Sequence, residues 1–146
     1  MPLIPERVDG FIERLRREVD EGLVPSCQVA VGLHGEIVLS EVLGDATADT
    51  RYCLFSATKA LIAATVWQLM ADGMLDPLDT VASHVAEFAA NGKGGITIEQ
   101  VMTHTSGFPR APLGPPEWAD RNGRIEQMAA WRLNWEPGTR LSLIHI

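Results

Sequence analysis

Ser56 and Lys59 stand three residues apart in the run Ser56-Ala57-Thr58-Lys59. On a helix that spacing puts both side chains on one face, within hydrogen-bond reach of each other. A serine hydroxyl is a weak nucleophile near neutral pH and needs a base beside it. A lysine amine can serve where apolar surroundings disfavour its charged form. The residues that follow are almost all apolar: Ala60, Leu61, Ile62, Ala63, Ala64, Val66, Trp67, Leu69 and Met70. They predict a helix from about Ala57 to Asp72 that is buried on all sides. Ser56 at its start would meet unpaired backbone N–H groups and the positive end of the helix dipole. Its own N–H can supply half of an oxyanion hole.

The alternative is ordinary: Ser56 caps the helix and Lys59 is a surface lysine with its stem laid along apolar neighbours. Two observations weigh against it. The chain holds six serines and only two lysines, Lys59 and Lys93, so chance supplies roughly 0.08 Ser-x-x-Lys matches. A cation in the first turn also opposes the helix dipole.

The elements that must position this pair can be read from periodicity and punctuation. Val8, Phe11, Ile12, Leu15 and Val19 recur at helical spacing among charged residues, and Gly22 and Pro25 end that surface helix. Cys27–Leu33 and Glu36–Leu43 are β-rich runs joined by His34-Gly35, the pattern of a hairpin. Arg51–Phe55 reads as a short strand leading into Ser56. Gly73 closes the apolar helix, and Leu75-Asp76-Pro77-Leu78-Asp79 is a turn. A short helix over Val81–Phe88 precedes a flexible glycine loop at Gly92, Gly94 and Gly95, which lacks the Lys-Ser/Thr of a phosphate-binding loop. Thr97 is placed to cap a helix from Ile98 to about Thr103. Pro109–Pro116 is loop, and a last helix runs from about Glu117 to Leu133.

Bulk properties narrow the function classes. A net charge of -7 excludes a nucleic-acid surface as the main working face, because such a surface needs a basic excess. No apolar run reaches membrane-spanning length and no secretory signal is visible, so the expected location is the cytoplasm, unless an export signal lies upstream. Cys27 and Cys53 are expected as two buried thiols rather than a disulfide. His34, His84 and His145 show no ligand spacing, so neither a metal nor another cofactor is expected. Trp118, Trp131 and Trp135 are expected in the core.

Beyond the residues themselves, three ordered segments resemble the serine β-lactamase / penicillin-binding-protein superfamily. The first is Arg51–Lys59 with the apolar helix and Leu75–Asp79. The second is Ile96-Thr97-Ile98-Glu99-Gln100-Val101-Met102-Thr103-His104-Thr105-Ser106-Gly107-Phe108, and the third is Glu136-Pro137-Gly138-Thr139-Arg140. The closest branch is the class C β-lactamase-like one, with its carboxylesterases and D-amino-acid peptidases. The resemblance implies an α+β fold, an antiparallel sheet with packed helices, of which the C-terminal part is missing here. It implies that Ser56 forms an acyl-enzyme with a small ester, amide or β-lactam substrate while Lys59 assists proton transfer. It also implies that His104 and Ser106 belong mostly to a structural helix end near the site. A carboxylesterase-like activity is favoured. The alternatives are a β-lactamase, a D-Ala-D-Ala-type peptidase, or a homologue that binds acyl groups without turnover.

The chain departs from the family after Arg140. The family's Tyr-x-Asn or Tyr-Ser-x element is absent, the only tyrosine being Tyr52, and so is the Lys/His-Thr-Gly strand. The expected organisation is therefore residues 1–140 as the N-terminal part of one hydrolase domain, incompetent alone. Residues 141–146 (Leu-Ser-Leu-Ile-His-Ile) resemble a translation of the end of a transposon-library adapter and are expected to be non-native, a genuine Leu-Ser-Leu-Ile strand being the alternative. Neither the identity of the substrate nor the oligomeric state follows from the sequence.

Overall fold

The computed structural model describes residues 3–142 and divides the chain into two compact units, Met1–Leu54 and Phe55–Ile146. The histidine reading at His145 and most of the expected non-native tail lie outside the described residues.

In the first unit, α1 spans Pro5–Asp20. Proline fits the first helical position, where its missing N–H would have no partner in any case. Ile12 is the buried member of the apolar stripe, and Gly22 leaves the helix with φ of 72°. β1 (Ser26–Leu33) pairs antiparallel with β2 (Glu36–Gly44), with an irregularity between Val31 and Gly32. The connection is His34-Gly35, with φ of 53° and 85°. Two successive left-handed residues make a type I′ turn, whose twist matches that of the flanking strands. The loop after β2 is tied down by Gln28, whose Nε2 donates to the carbonyl oxygens of Thr47 and Thr50 at 2.6 and 3.2 Å.

Arg51–Leu54 is not the expected strand. It pairs with no ladder among the described residues; instead Tyr52 Oη lies 2.7 Å from Ser26 Oγ. The segment pairs with neither open edge of the β1–β2 hairpin, and β-rich composition alone does not make a strand. Both cysteines are free, and Cys53 is exposed rather than buried because this segment runs along the surface.

The second unit opens with a 3-10 turn, Phe55–Ala57, that runs into α2 (Thr58–Ala71). Asp72, Gly73 and Met74 close α2 as the sequence predicts: Gly73 has φ of 69°, and the Gly73 and Met74 N–H groups donate to Met70 and Leu69. That is a Schellman end. Thr80 caps α3 (Val81–His84), and the expected longer helix breaks at Val85, which is extended. A 3-10 stretch, Ala86–Gly92, follows and is itself kinked at Ala90 and Asn91. Thr97 begins α4 (Ile98–Met102) with a full capping box: its hydroxyl accepts from Gln100 N–H, and Gln100 Oε1 accepts from Thr97 N–H. α5 covers only Arg121–Ala130, shorter than expected, because Asp120 is extended and takes the Gly123 N–H on its carboxylate, while Trp131 turns out of the helix. Glu117–Ala119 forms a separate 3-10 turn.

The centre of this unit is aromatic and aliphatic. Phe88 and Ile96 are buried, and Phe108 meets Phe88 and Trp131 with ring centroids 5.9 and 5.6 Å apart. Trp131 and Trp135 are half-buried, whereas Trp118 is exposed, against expectation. It lies in the short 3-10 turn Glu117–Ala119, outside α5.

α2 departs most from expectation. None of its residues is buried, and Leu61, Ile62 and Trp67 are each about 60% exposed. A helix apolar all round needs neighbours on every side, and the described residues do not supply them. No described helix is long and apolar enough to cross a membrane.

Candidate active site

The local backbone delivers Ser56 and Lys59 to each other. Phe55 has φ of 44°, a left-handed conformation that costs a bulky residue free energy and signals a position held by its surroundings. The turn it starts carries Ser56 directly ahead of α2. Ala57, not Ser56, is the cap residue of α2, and no side chain caps it. The serine hydroxyl is thus not spent on capping. It accepts a hydrogen bond from Lys59 Nζ at 2.9 Å. At that distance a proton can pass between the two groups when the amine is neutral. The first helical turn adds N–H groups without intrahelical partners, which favour negative charge developing on an atom bound near Ser56.

Both side chains are exposed, in contrast to the buried setting read from the sequence. The cause is the uncovered α2: the apolar residues that were to shield the amine face outward.

A cleft of about 510 Å³ opens beside Lys59, with Ser56 not among its lining residues; its size is within the range of small-molecule sites. Phe55, Lys59 and Ile62 line one side, and Val101, Met102 and His104 from the end of α4 line the other. His104 therefore borders the same space as Lys59. Ser106 is buried and does not join the pair.

The segment after α4 is held by main-chain contacts. Asn134 N–H donates to Gly107 O at 2.8 Å, Gly138 N–H to Thr105 O at 2.8 Å, and Ser142 N–H to His104 O at 2.9 Å. Gly107 has φ of 88°, and a Cβ there would lie 2.5 Å from Trp135 O. Only glycine permits that approach. The Thr-His-Thr-Ser-Gly run and the Pro137-Gly138 turn, two separate sequence signals, are thus one docked structure.

Lys93 is the residue the sequence reading missed. It lies within the glycine loop expected to be flexible, yet it is fully buried. Its Nζ donates to the carbonyl oxygens of Ala90, Ala129 and Trp131 at 2.6, 3.1 and 2.5 Å and lies 5.4 Å from the Phe88 ring centroid. Burial, aided by nearby Arg132, pushes its pKa below the ordinary lysine value. Asn91 Nδ2 adds a donor to Ala129 O at 3.0 Å. Carbonyls at the end of α5 attract cations because they lack intrahelical donors, so Lys93 is a structural clamp. The signal available in the sequence was a lone lysine among glycines in an arginine-rich chain. Among the described residues, no group of three or more His, Cys, Asp or Glu could hold a metal ion.

Comparisons with known proteins give the family and the fold. The Beta-lactamase family model matches residues 11–142. The chain is similar to Protein flp of Staphylococcus aureus, at 26% identity over 134 residues, covering 84% of this chain and 26% of that protein. It is similar to the Esterase/beta-lactamase LipL of Mycobacterium tuberculosis, at 38% identity over 62 residues, covering 42% of this chain and 14% of that one. A penicillin-binding-protein homologue from Caulobacter crescentus superposes with a TM-score of 0.78 at 26% identity, covering 97% of this chain and 41% of its own. The chain thus spans about a quarter of the length of the flp protein.

Proposed function

Since the chain belongs to the Beta-lactamase family and has its partial α+β fold, we propose that it is part of a serine hydrolase in which Ser56 is acylated and Lys59 carries the proton. The observation that bears most on this is the 2.9 Å hydrogen bond between Lys59 Nζ and Ser56 Oγ. Ser56 Oγ adds to the carbonyl carbon of an ester or amide while its proton passes to the Lys59 amine. The negative charge on the former carbonyl oxygen is met by N–H donors, that of Ser56 among them. As the bond to the leaving group breaks, Lys59 returns the proton to the departing oxygen or nitrogen. Water then hydrolyses the acyl-enzyme and regenerates the serine.

Small esters are the favoured substrate class. Family membership makes small esters, amides and β-lactams the field of choice, and the similarity to an esterase/beta-lactamase fits esters and β-lactams alike. β-Lactam or D-Ala-D-Ala-type peptide hydrolysis is the second reading, with non-catalytic acyl binding a third. The 146 residues span only a fraction of their relatives, and turnover is proposed for a longer protein, with residues 1–140 as part of one hydrolase domain and 141–146 foreign to it. A cytoplasmic location is part of the same reading.

The test is covalent labelling of the product of the uninterrupted reading frame with a fluorophosphonate or a fluorescent penicillin. Wild type is labelled and Ser56→Ala is not. Lys59→Arg also fails to label, because a guanidinium stays protonated and cannot accept the serine proton. Equal labelling of wild type and Ser56→Ala refutes the assignment.

A further inference from the structure

Phe55 holds a backbone conformation that its side-chain type disfavours. Among the described residues, four other than glycine have positive φ: His34, Phe55, Asn91 and His104. Asparagine and histidine are enriched there, whereas for a bulky residue the left-handed region is an outlier. Phe55 takes it one residue ahead of Ser56, with φ of 44°. The sequence just before Ser56 carries no other stop signal. Arg51, Tyr52, Cys53, Leu54 and Phe55 include no residue type that caps or breaks a helix, and no side chain caps α2 at Ala57. With a right-handed Phe55, α2 could run back through Ser56, whose N–H would then donate to the carbonyl four residues earlier, that of Tyr52. In the structure no carbonyl ahead of the turn Phe55–Ala57 takes the Ser56 N–H.

We propose that Phe55 is a positioning residue for the Ser56 reaction: its left-handed backbone ends the helix ahead of the nucleophile and keeps the Ser56 N–H free for the oxyanion. The inference rests on the Ser56 reading above, and it concerns the backbone of Phe55, not the ring. An N–H already paired within a helix would have to give up that bond to meet the oxyanion, whereas a free one is in place before the reaction begins. The Ser56–Lys59 contact lies downstream of Phe55 and is fixed by spacing on one helical face. Phe55 therefore acts on the charge developing at the carbonyl oxygen and not on proton transfer.

The experiment measures the burst of p-nitrophenolate released on acylation by p-nitrophenyl butyrate, using the product of the uninterrupted reading frame. The burst reports acylation whether or not the acyl-enzyme turns over. Phe55→Gly and Phe55→Asn, which accept the left-handed region but lack the ring, are expected to keep the limiting burst rate within about threefold of wild type. Phe55→Gly unfolds at the same temperature as wild type or higher. Phe55→Val, whose β-branch opposes that region, loses about a hundredfold in limiting burst rate, the scale of one oxyanion donor. The ester concentration giving half-maximal burst rate changes little. Thermal unfolding shows whether the valine variant is folded; if it is not, Phe55→Ala, also disfavoured at positive φ, carries the same comparison. A folded valine or alanine variant that acylates as fast as wild type overturns the assignment. Glycine and asparagine variants as slow as the valine variant also overturn it, because the effect would then lie in the ring. A wild type with no Ser56-dependent burst or labelling overturns the underlying reading and this inference with it.

Discussion

Lys93 and Lys59 share a side chain and differ in everything around it. The Lys93 ammonium is enclosed by three carbonyl oxygens and the Phe88 ring, and burial lowers its pKa. A depressed lysine pKa makes folding favour the neutral amine. Between the folded and the unfolded values, the unfolded chain carries a proton that the folded chain has released, so stability rises with pH across that alkaline window and is lower, without further change, beneath it. Lys93→Met should remove this slope, and should cost about 1–3 kcal/mol near neutral pH by leaving carbonyls without their donor. Denaturant unfolding of both proteins from pH 7 to 10.5 checks this. Parallel stability curves, or a methionine variant as stable as wild type, contradict it. None of this was legible from the glycines flanking Lys93, since its partners at Ala129 and Trp131 lie more than thirty residues away. The Ser56–Lys59 contact was legible because it is local: spacing on one helical face fixes it.

At the scale of elements, local chemistry explains what the sequence revealed and what it hid. His34-Gly35 defines its hairpin, Thr97 its capping box, and Gly73 its helix end, each within a few residues. The Arg51–Phe55 strand and the full length of the last helix were misread, because β-rich composition alone does not make a strand and Asp120 takes up a cap where propensity alone would continue. The docking of Thr105–Gly107 on Trp135–Gly138 is likewise hidden until the chain folds. It makes a sharp prediction. Gly107→Ala forces a methyl group against Trp135 O at a left-handed φ and should cost about 2 kcal/mol or more. Gly95→Ala meets no atom within 4 Å and should cost well under 1 kcal/mol. Thermal unfolding of the two variants side by side measures the contrast. Equal midpoints would show that the docked segment does not carry the stability of the unit.

At the scale of the whole molecule, α2 is where sequence and structure are hardest to reconcile. Its composition belongs to a helix packed on all sides, yet Leu61, Ile62 and Trp67 face outward, as does Phe55 ahead of it. The superposition takes in 97% of this chain but only 41% of the Caulobacter homologue. Exposed apolar area of this extent binds apolar dyes and invites association. The 146-residue chain alone is therefore expected to enhance the fluorescence of an anilinonaphthalene dye, to unfold with little cooperativity, and to leave esters unhydrolysed above the Ser56→Ala background. The product of the uninterrupted reading frame is expected to lose the dye signal, unfold cooperatively and label at Ser56. The contact at Ser142 does not bear on whether residues 141–146 are native, because its backbone N–H donates to His104 O and nearly any residue could do the same. Sequencing across the codons after Arg140 bears on it directly, the expected result being a frame that continues into an aromatic residue and a tyrosine-containing motif. A 146-residue chain that excludes the dye, melts in one sharp transition and turns over ester would refute this account of α2.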